Sequence, residues 1–379
     1  MERHVDVAVI ISTWNRCDEL HGTLEAVLSQ DADPCSYEVI IADNNSTDGT
    51  RDVVESFIAR GHRNLRYVFE PQPGVSHGRN TAIRATRAAI LAFTDDDVLV
   101  ARSWVANIKR AFDSNPHVDY VTGKMLPIFE AEPPSWMAGD NTGPCVLRNR
   151  GDQPLYSQPG CFFPGWATAN IAFRRTVFDR IGLFAGDFPR GQDLELIVRL
   201  WRANGRGMYA PDVVVSHHIP LERMTKKYHR MWHTREGDIR SRIRLREIFD
   251  SAGRVMGETP GSPRLFGVPA FLYRELMGEC AGWLVAALRR DESRAFRFEG
   301  KVRQTVSYMR TRFREYAREQ RRSRVAEILR FAKSLTFRKW RTLGSRAAPR
   351  TDEMPRAEGE YQELEQHQLT GSPRFRRSG

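Results

Sequence analysis

Hydrophobic positions along the first hundred residues change period repeatedly. Residues 5–12 (VDVAVIIS) form a nearly continuous β-rich run, the pattern of a strand buried on both faces. Leu20, Leu24, Val27 and Leu28 then recur at i, i+4, i+7 and i+8, which predicts one face of a helix. A second strand is expected at 38–42 (EVIIA), a helix at 51–60, a strand at 65–69, a helix at 76–89 and a strand at 89–93. This β-α-β-α-β-α-β succession predicts an α/β fold, a mostly parallel sheet with helices on both faces joined by right-handed crossovers. Ligands of such sheets bind at the carboxyl ends of the strands.

The strand ends carry the acids. The 38–42 strand runs into Asp43-Asn44-Asn45-Ser46-Thr47-Asp48, a turn and capping cluster. The 89–93 strand runs into Asp95, Asp96 and Asp97. Three adjacent carboxylates repel one another unless a cation sits among them. Hard oxygen ligands of this kind suit Mg²⁺ or Mn²⁺, which in turn bind phosphate oxygens. A solvated acidic turn is the alternative reading.

Beyond about residue 103 the pattern loosens. Residues 132–165 are rich in Pro and Gly and suit a long substrate-shaping loop. Residues 178–183 read as loop, 191–201 as helix and 213–215 as a short strand ending at His217 and His218. After Pro220 the chain reads as helical to about residue 343, with a break at 251–263. The polar tail has no periodicity and is expected to be disordered. Three segments follow: 1–237 as the catalytic domain, 238–345 as a basic helical region, and 346–379 as the tail.

Bulk properties narrow the function classes. No apolar run is long and uninterrupted enough to span a bilayer, and the first residues lack the apolar core of a secretory signal. The five cysteines include no C-x-x-C pair, so reduced thiols in a cytosolic protein are expected rather than a zinc site or disulfides. The net charge of +11 is unevenly placed. Residues 286–350 hold 20 Lys/Arg against 6 Asp/Glu, which leaves the remainder of the chain at −3. A near-neutral body is thus joined to a basic device. Val325, Ile328, Leu329, Ala332 and Leu335 on one side of a helix, with basic residues around the other and Trp340 near its end, predict contact with an anionic membrane surface. For 265–288, packing on the catalytic domain is an equal expectation. Nucleic acid is the poorer partner, because no binding motif accompanies the charge.

The ordered set VAVIISTWNR, VIIADNNSTDGT, GRNTAI and FTDDDV, followed by GWATANIAFRR, RGQDLELIVRL and YAPDVVVSHHIPLER, resembles the family 2 glycosyltransferases of GT-A fold. The resemblance implies transfer of a sugar from a UDP- or GDP-sugar to a glycan or lipid-linked acceptor. It also implies a bacterial polysaccharide-type enzyme, cytoplasmic and peripheral on the inner face of the cell membrane. Thr13, Asn15 and Arg16 would cradle the nucleotide, Asp43 would face its base, and Arg79 would lie beside it. Asp95 and Asp96 would contact the nucleotide-sugar. Asp97 would hold the metal through the diphosphate, with His217 completing its shell and His218 as the rival. Asp193 matches the general base of an inverting single displacement, although Gln192 stands where the family has Glu; a helix N-terminal cap is its other reading. Trp136 and Trp166 could stack on a sugar or pack in the interior. A nucleotidyltransferase of the same general fold is the competing enzyme, but 12–16 (STWNR) lacks the glycine-rich phosphate loop it would need. A non-catalytic membrane-surface binder is the third reading, weakened by the intact set of Asp43, Asp97, Asp193 and His217.

Overall fold

The computed structural model describes residues 5–137, 139–157, 167–186, 188, 190–248 and 263–341, with side chains of the final helix described as far as 322. Trp166, the tail and the side chains from Val325 to Trp340 lie outside the described residues. The elements run β1 (Val7–Thr13), α1 (Cys17–Leu28), β2 (Tyr37–Asp43), α2 (Thr50–Ala59), β3 (Leu65–Phe69), α3 (Val75–Ala85), β4 (Ile90–Phe93), β5 (Val98–Val100), α4 (Trp104–Ser114) and β6 (Tyr120–Phe129). They continue with β7 (Leu155–Tyr156), β8 (Ile171–Arg174), α5 (Arg175–Ile181), α6 (Gln192–Arg202), β9 (Gly207–Ile219), α7 (Lys226–Arg242), α8 (Leu245–Ile248), β10 (Arg264–Leu265), β11 (Val268–Pro269), α9 (Ala270–Leu288) and α10 (Glu292–Arg341). The chain divides into two units, Met1–Gln320 and Arg321–Gly379.

Nine strands form one mixed sheet in the order β3-β2-β1-β4-β8-β6-β9-β5, with β7 also on β9. β3, β2, β1 and β4 are parallel, the half that the first hundred residues predict. β8 runs antiparallel to β4 and β6, whereas β9 is parallel to β6 and antiparallel to β5. Alternate residues of β1 enter opposite cores, which explains the unbroken apolar run. Val7, Val9 and Ile11 pack with Leu20, Leu24, Val54, Phe57 and Trp104 on one face. Ala8 and Ile10 pack with Ile83, Phe178, Leu196 and Leu200 on the other.

Several local expectations change. Residues 175–181, partly read as loop, are helix α5. The short strand at 213–215 is the middle of the thirteen-residue β9, whose polar outer positions hide its length. α3 stops at Ala85, because Thr86 is extended and its hydroxyl accepts the N–H of Ala88. The 132–165 loop holds two 3₁₀ turns, one of which buries Trp136. Its ring packs edge-on against His229 at 5.0 Å and Phe296 at 4.7 Å, so it is a core residue. Position 237, the expected boundary, lies inside α7, where a Cβ on Gly237 would come within 2.2 Å of the Gln304 carbonyl oxygen of α10.

One buried side chain ties the start of β8 to β6 and β9. The β6–β9 register shifts between Thr122 and Lys124, where Gly123 lies so close to the Val213 carbonyl that a Cβ would meet it at 1.8 Å. Asn170 is fully buried beside this irregularity. Its amide donates to the carbonyls of Lys124 (2.8 Å) and Val213 (3.0 Å), and its Oδ1 accepts Trp104 Nε1 (2.9 Å). Asn170→Ala leaves two carbonyls and one indole N–H unpaired, each worth about 1–3 kcal/mol. Urea unfolding is expected to show a loss of at least ~3 kcal/mol, and a loss below ~1 kcal/mol would contradict this role.

Candidate active site

The site is assembled at the carboxyl ends of β1, β2 and β4. β1 ends in Thr13, and Asn15 turns the chain with a left-handed φ of 52°, which Asn tolerates better than most residues. The turn is tied to the loop after β2. Asn15 Oδ1 accepts Thr47 N–H at 2.7 Å, Ser46 Oγ accepts Asn15 N–H at 2.9 Å, and Asp48 accepts Cys17 N–H at 3.1 Å. Asp43, buried at the end of β2, accepts Ser46 N–H through Oδ1 (2.9 Å) and the Tyr67 hydroxyl through Oδ2 (2.7 Å). Asn44 anchors the 70–74 loop, donating to Gln72 O and accepting Gly74 N–H. Two strand-end loops thus form one hydrogen-bonded wall.

Three guanidinium groups meet the three acids after β4. Arg16 Nη1 lies 3.0 Å from both Asp96 Oδ1 and Asp97 Oδ2. Buried Arg79 donates from Nη2 to Asp95 (3.3 Å) and Thr168 Oγ1 (2.6 Å), and its Nη1 has no hydrogen-bond partner. Arg223, in the 3₁₀ turn Leu221–Met224, places Nη2 3.1 Å from Asp97 Oδ2. The register that sets Val98 opposite His217 brings the imidazole beside Asp97, with Nε2 3.6 Å from Oδ1. His217 is buried and His218 exposed. Nδ1 of His217 donates to the Cys145 carbonyl (3.1 Å), so Nε2 carries the lone pair and accepts Arg223 Nη1 at 2.8 Å.

Burial alone would raise both Asp96 and Asp97, but their partners differ. Burial pushes Asp96 up to about 6 against the pull of Arg16. For Asp97, the positive charges of Arg223 and Arg16 act against burial, and the carboxyl is held far below its ordinary value.

Asp193 begins α6 one residue after Gln192, and its Oδ1 accepts the N–H of Leu194. It lines a small cleft with Thr168, Phe173, Phe184 and Leu196. Burial raises its carboxyl above the ordinary range, against the pull of Arg79. Gln192 is buried with Oε1 unpartnered. The predicted residues therefore gather along one strand-end edge, while Thr13 and Asp43 form its floor. Arg223, Tyr67 and Thr168 were not singled out by the sequence. Arg223 stands in the HHIPLER segment, yet nothing in that spacing announces a partner 126 positions away.

The mixed sheet is of GT-A fold, with an acidic strand end, a facing imidazole and the half-buried Asp193 on the same edge. Residues 8–182 match the model of Glycosyl transferase family 2. The chain is an enzyme of the transferase class. It is 29% identical over 250 residues to glycosyltransferase AglE of Haloferax volcanii, covering 64% of this chain and 77% of that protein. It is likewise 29% identical over 228 residues to validoxylamine A glucosyltransferase of Streptomyces hygroscopicus subsp. limoneus, covering 51% of this chain and 47% of that one. In fold it resembles the Pyrobaculum calidifontis mannosyltransferase PcManGT, solved with GDP-Man and Mn²⁺. That likeness has a TM-score of 0.54 and 20% identity, over 81% of this chain and 86% of the other.

The Asp96 shift fixes a pH dependence. Its folded-state value lies above the unfolded value near 4, so the folded protein binds more protons across about pH 4–6 and loses stability as pH rises through that window. Asp97 has the opposite sign: its stabilisation is present above the unfolded value and is lost only as pH falls toward its depressed folded value. Asp96→Asn is therefore expected to gain roughly 2 kcal/mol relative to the native chain between pH 4 and pH 7. Urea unfolding in EDTA at both pH values measures it, and an unchanged difference contradicts the assignment.

Proposed function

We propose that this enzyme is an inverting glycosyltransferase that moves a sugar from a UDP- or GDP-sugar to a hydroxyl of a glycan or lipid-linked acceptor, assisted by a divalent cation. The observation that carries this reading is the Asp97–His217 pair on the same strand-end edge as the Asp193 cleft. The donor atoms suit Mn²⁺ or Mg²⁺: one carboxylate beside an imidazole whose Nδ1 is committed elsewhere, leaving Nε2 as the ligating atom. Arg223 now supplies the positive charge at that pair. When bound, the cation supplies Lewis-acid neutralisation of the diphosphate.

The chain's own residues account for the rest of the chemistry. Asp43 and the Asn15–Thr47 wall receive the nucleoside, with Asp43 accepting from the base. Asp95, Asp96 and Arg79 border the diphosphate and sugar. Asp193 takes the acceptor hydroxyl proton as that oxygen attacks the anomeric carbon, while the bond from that carbon to the diphosphate oxygen breaks on the opposite face. A carboxyl raised by burial is a better base near neutrality than an ordinary one. Arg16 and Arg223 border the departing charge.

Residues 1–237 are proposed to perform this chemistry, with 238–345 holding the enzyme at the anionic inner face of the cell membrane in polysaccharide assembly. No helix among the described residues is long and apolar enough to cross a membrane.

A panel of UDP- and GDP-sugars, with and without Mn²⁺, tests the reading. Asp193→Asn is expected to lower kcat by about 10²–10⁴-fold while leaving the donor KM within a few-fold. Asp97→Ala is expected to abolish the Mn²⁺ enhancement of nucleoside diphosphate binding in calorimetry. Transfer that persists in both variants at native rates would overturn the assignment.

A further inference from the structure

Helix α9 is apolar around most of its circumference, but the described residues cover it on only one side. Its inner side carries buried Leu272 and Ala286, and Glu275, which pairs with Arg246. Gly282 also faces inward, so close to Phe298 that a Cβ would meet the ring at 2.4 Å. On the outer side Met277, Leu284 and Leu288 follow one another at i, i+7 and i+11, with 66%, 53% and 76% of their surface exposed. Trp283 and Val285 flank them at 45% and 43%, and Cys280, Ala281 and Ala287 lie exposed between. A helix apolar on nearly all sides is normally covered on all sides, and a continuous exposed apolar stripe marks a docking surface.

Charge selects the occupant. The exposed arc includes one charged residue, Arg274, and no acid; Glu275 and Glu279 are turned from it and only half-exposed. Exposed Arg289 and Arg290 follow directly at the carboxyl end of the helix. We infer that this face of α9 lies in the headgroup region of an anionic bilayer, with Met277, Leu284 and Leu288 reaching the acyl boundary. This rests on the membrane placement of 238–345 proposed above and assigns it, within that region, to α9. Self-association through the same stripe is disfavoured electrostatically. Antiparallel pairing sets Arg274 against Arg289 and Arg290 of the second copy, and parallel pairing sets each arginine against its equivalent. Lipid phosphates instead complement all three, and Trp283 at the edge of the stripe suits the membrane–water boundary. A helix lying in the plane of the surface also leaves its inner carboxylates against the protein.

Flotation of the full chain with vesicles of phosphatidylcholine alone, and of phosphatidylcholine with phosphatidylglycerol, tests the assignment. The native chain is expected to float with the anionic vesicles. The double variant Leu284→Asp/Leu288→Asp, which alters only exposed positions, is expected to partition about tenfold or more weakly. Its thermal midpoint and donor hydrolysis should remain native. Arg289→Gln/Arg290→Gln should lose the preference for anionic over neutral vesicles. Native-level flotation of the leucine variant would overturn the assignment to α9 while leaving the membrane placement standing. Absence of flotation by the native chain would overturn both. A dimer by light scattering that the leucine variant dissociates would overturn the lipid assignment in favour of a second copy.

Discussion

The balance of charge after β4 is the constraint on which the site depends. Three consecutive carboxylates are held at the edge of a low-dielectric sheet, an arrangement that is strongly unfavourable without cations beside it. The chain supplies them from three distant places: Arg16 from the turn after β1, Arg79 from α3 and Arg223 from the turn after β9. Each arginine thereby fastens its own segment to the strand end. Removing one partner would cost more than the net worth of its ion pair, because the remaining buried charge would stand alone. Under the proposed function the same cluster receives the diphosphate with its cation. Arg223 donates to both Asp97 Oδ2 and His217 Nε2 and so holds the pair together by charge.

How much of this was legible in the sequence follows from the range of each interaction. β1, β2 and β4 could be read because their burial leaves continuous apolar runs, and because the helices between them keep a 3.6 period. β9 could not be measured, since Pro211 and Asp212 interrupt its apolar residues and Ser216 and His218 face sideways or outward. Asn170 gave no signal at all: a polar residue before a short strand reads as a turn, and its value lies in carbonyls brought to it by β6 and β9. The candidate site shows the same division. Asp43, Asp95 to Asp97, Asp193 and His217 stand in recognisable strings, whereas Arg223 acts through contacts that only the folded chain creates. Which of His217 and His218 turns inward is set by strand alternation about a register that sequence does not contain.

The basic C-terminal part shows how charge can draw attention away from an apolar feature. Residues 286–350 dominate the net charge, and a basic amphipathic helix is easily noticed. α9 is harder to see because it has little amphipathic contrast; its outer apolar residues resemble its inner ones. Exposure separates them. In the proposed docking, charge and apolar area take complementary parts, with long-range attraction from the arginines and burial from Met277, Leu284 and Leu288.

Asp193 draws its character from several constraints at one helix end. Gly191, with a φ of 77°, sits where a Cβ would come within 2.2 Å of Ile239, so α6 begins directly beneath α7. That packing fixes the first turn and aims Asp193 into the cleft. The free N–H groups of the turn favour the ionised carboxylate, as does Arg79, while burial opposes ionisation and prevails. Gln192 adds no charge beside it. A glutamate there would add a second negative charge and push the Asp193 carboxyl still higher, against the general-base role proposed for it. A neutral amide fills the same buried volume without that repulsion, leaving a carbonyl oxygen free to accept a hydrogen bond. The departure from the family's Glu-Asp pair thus spares Asp193 a repelling neighbour and keeps its acceptor site neutral on that side.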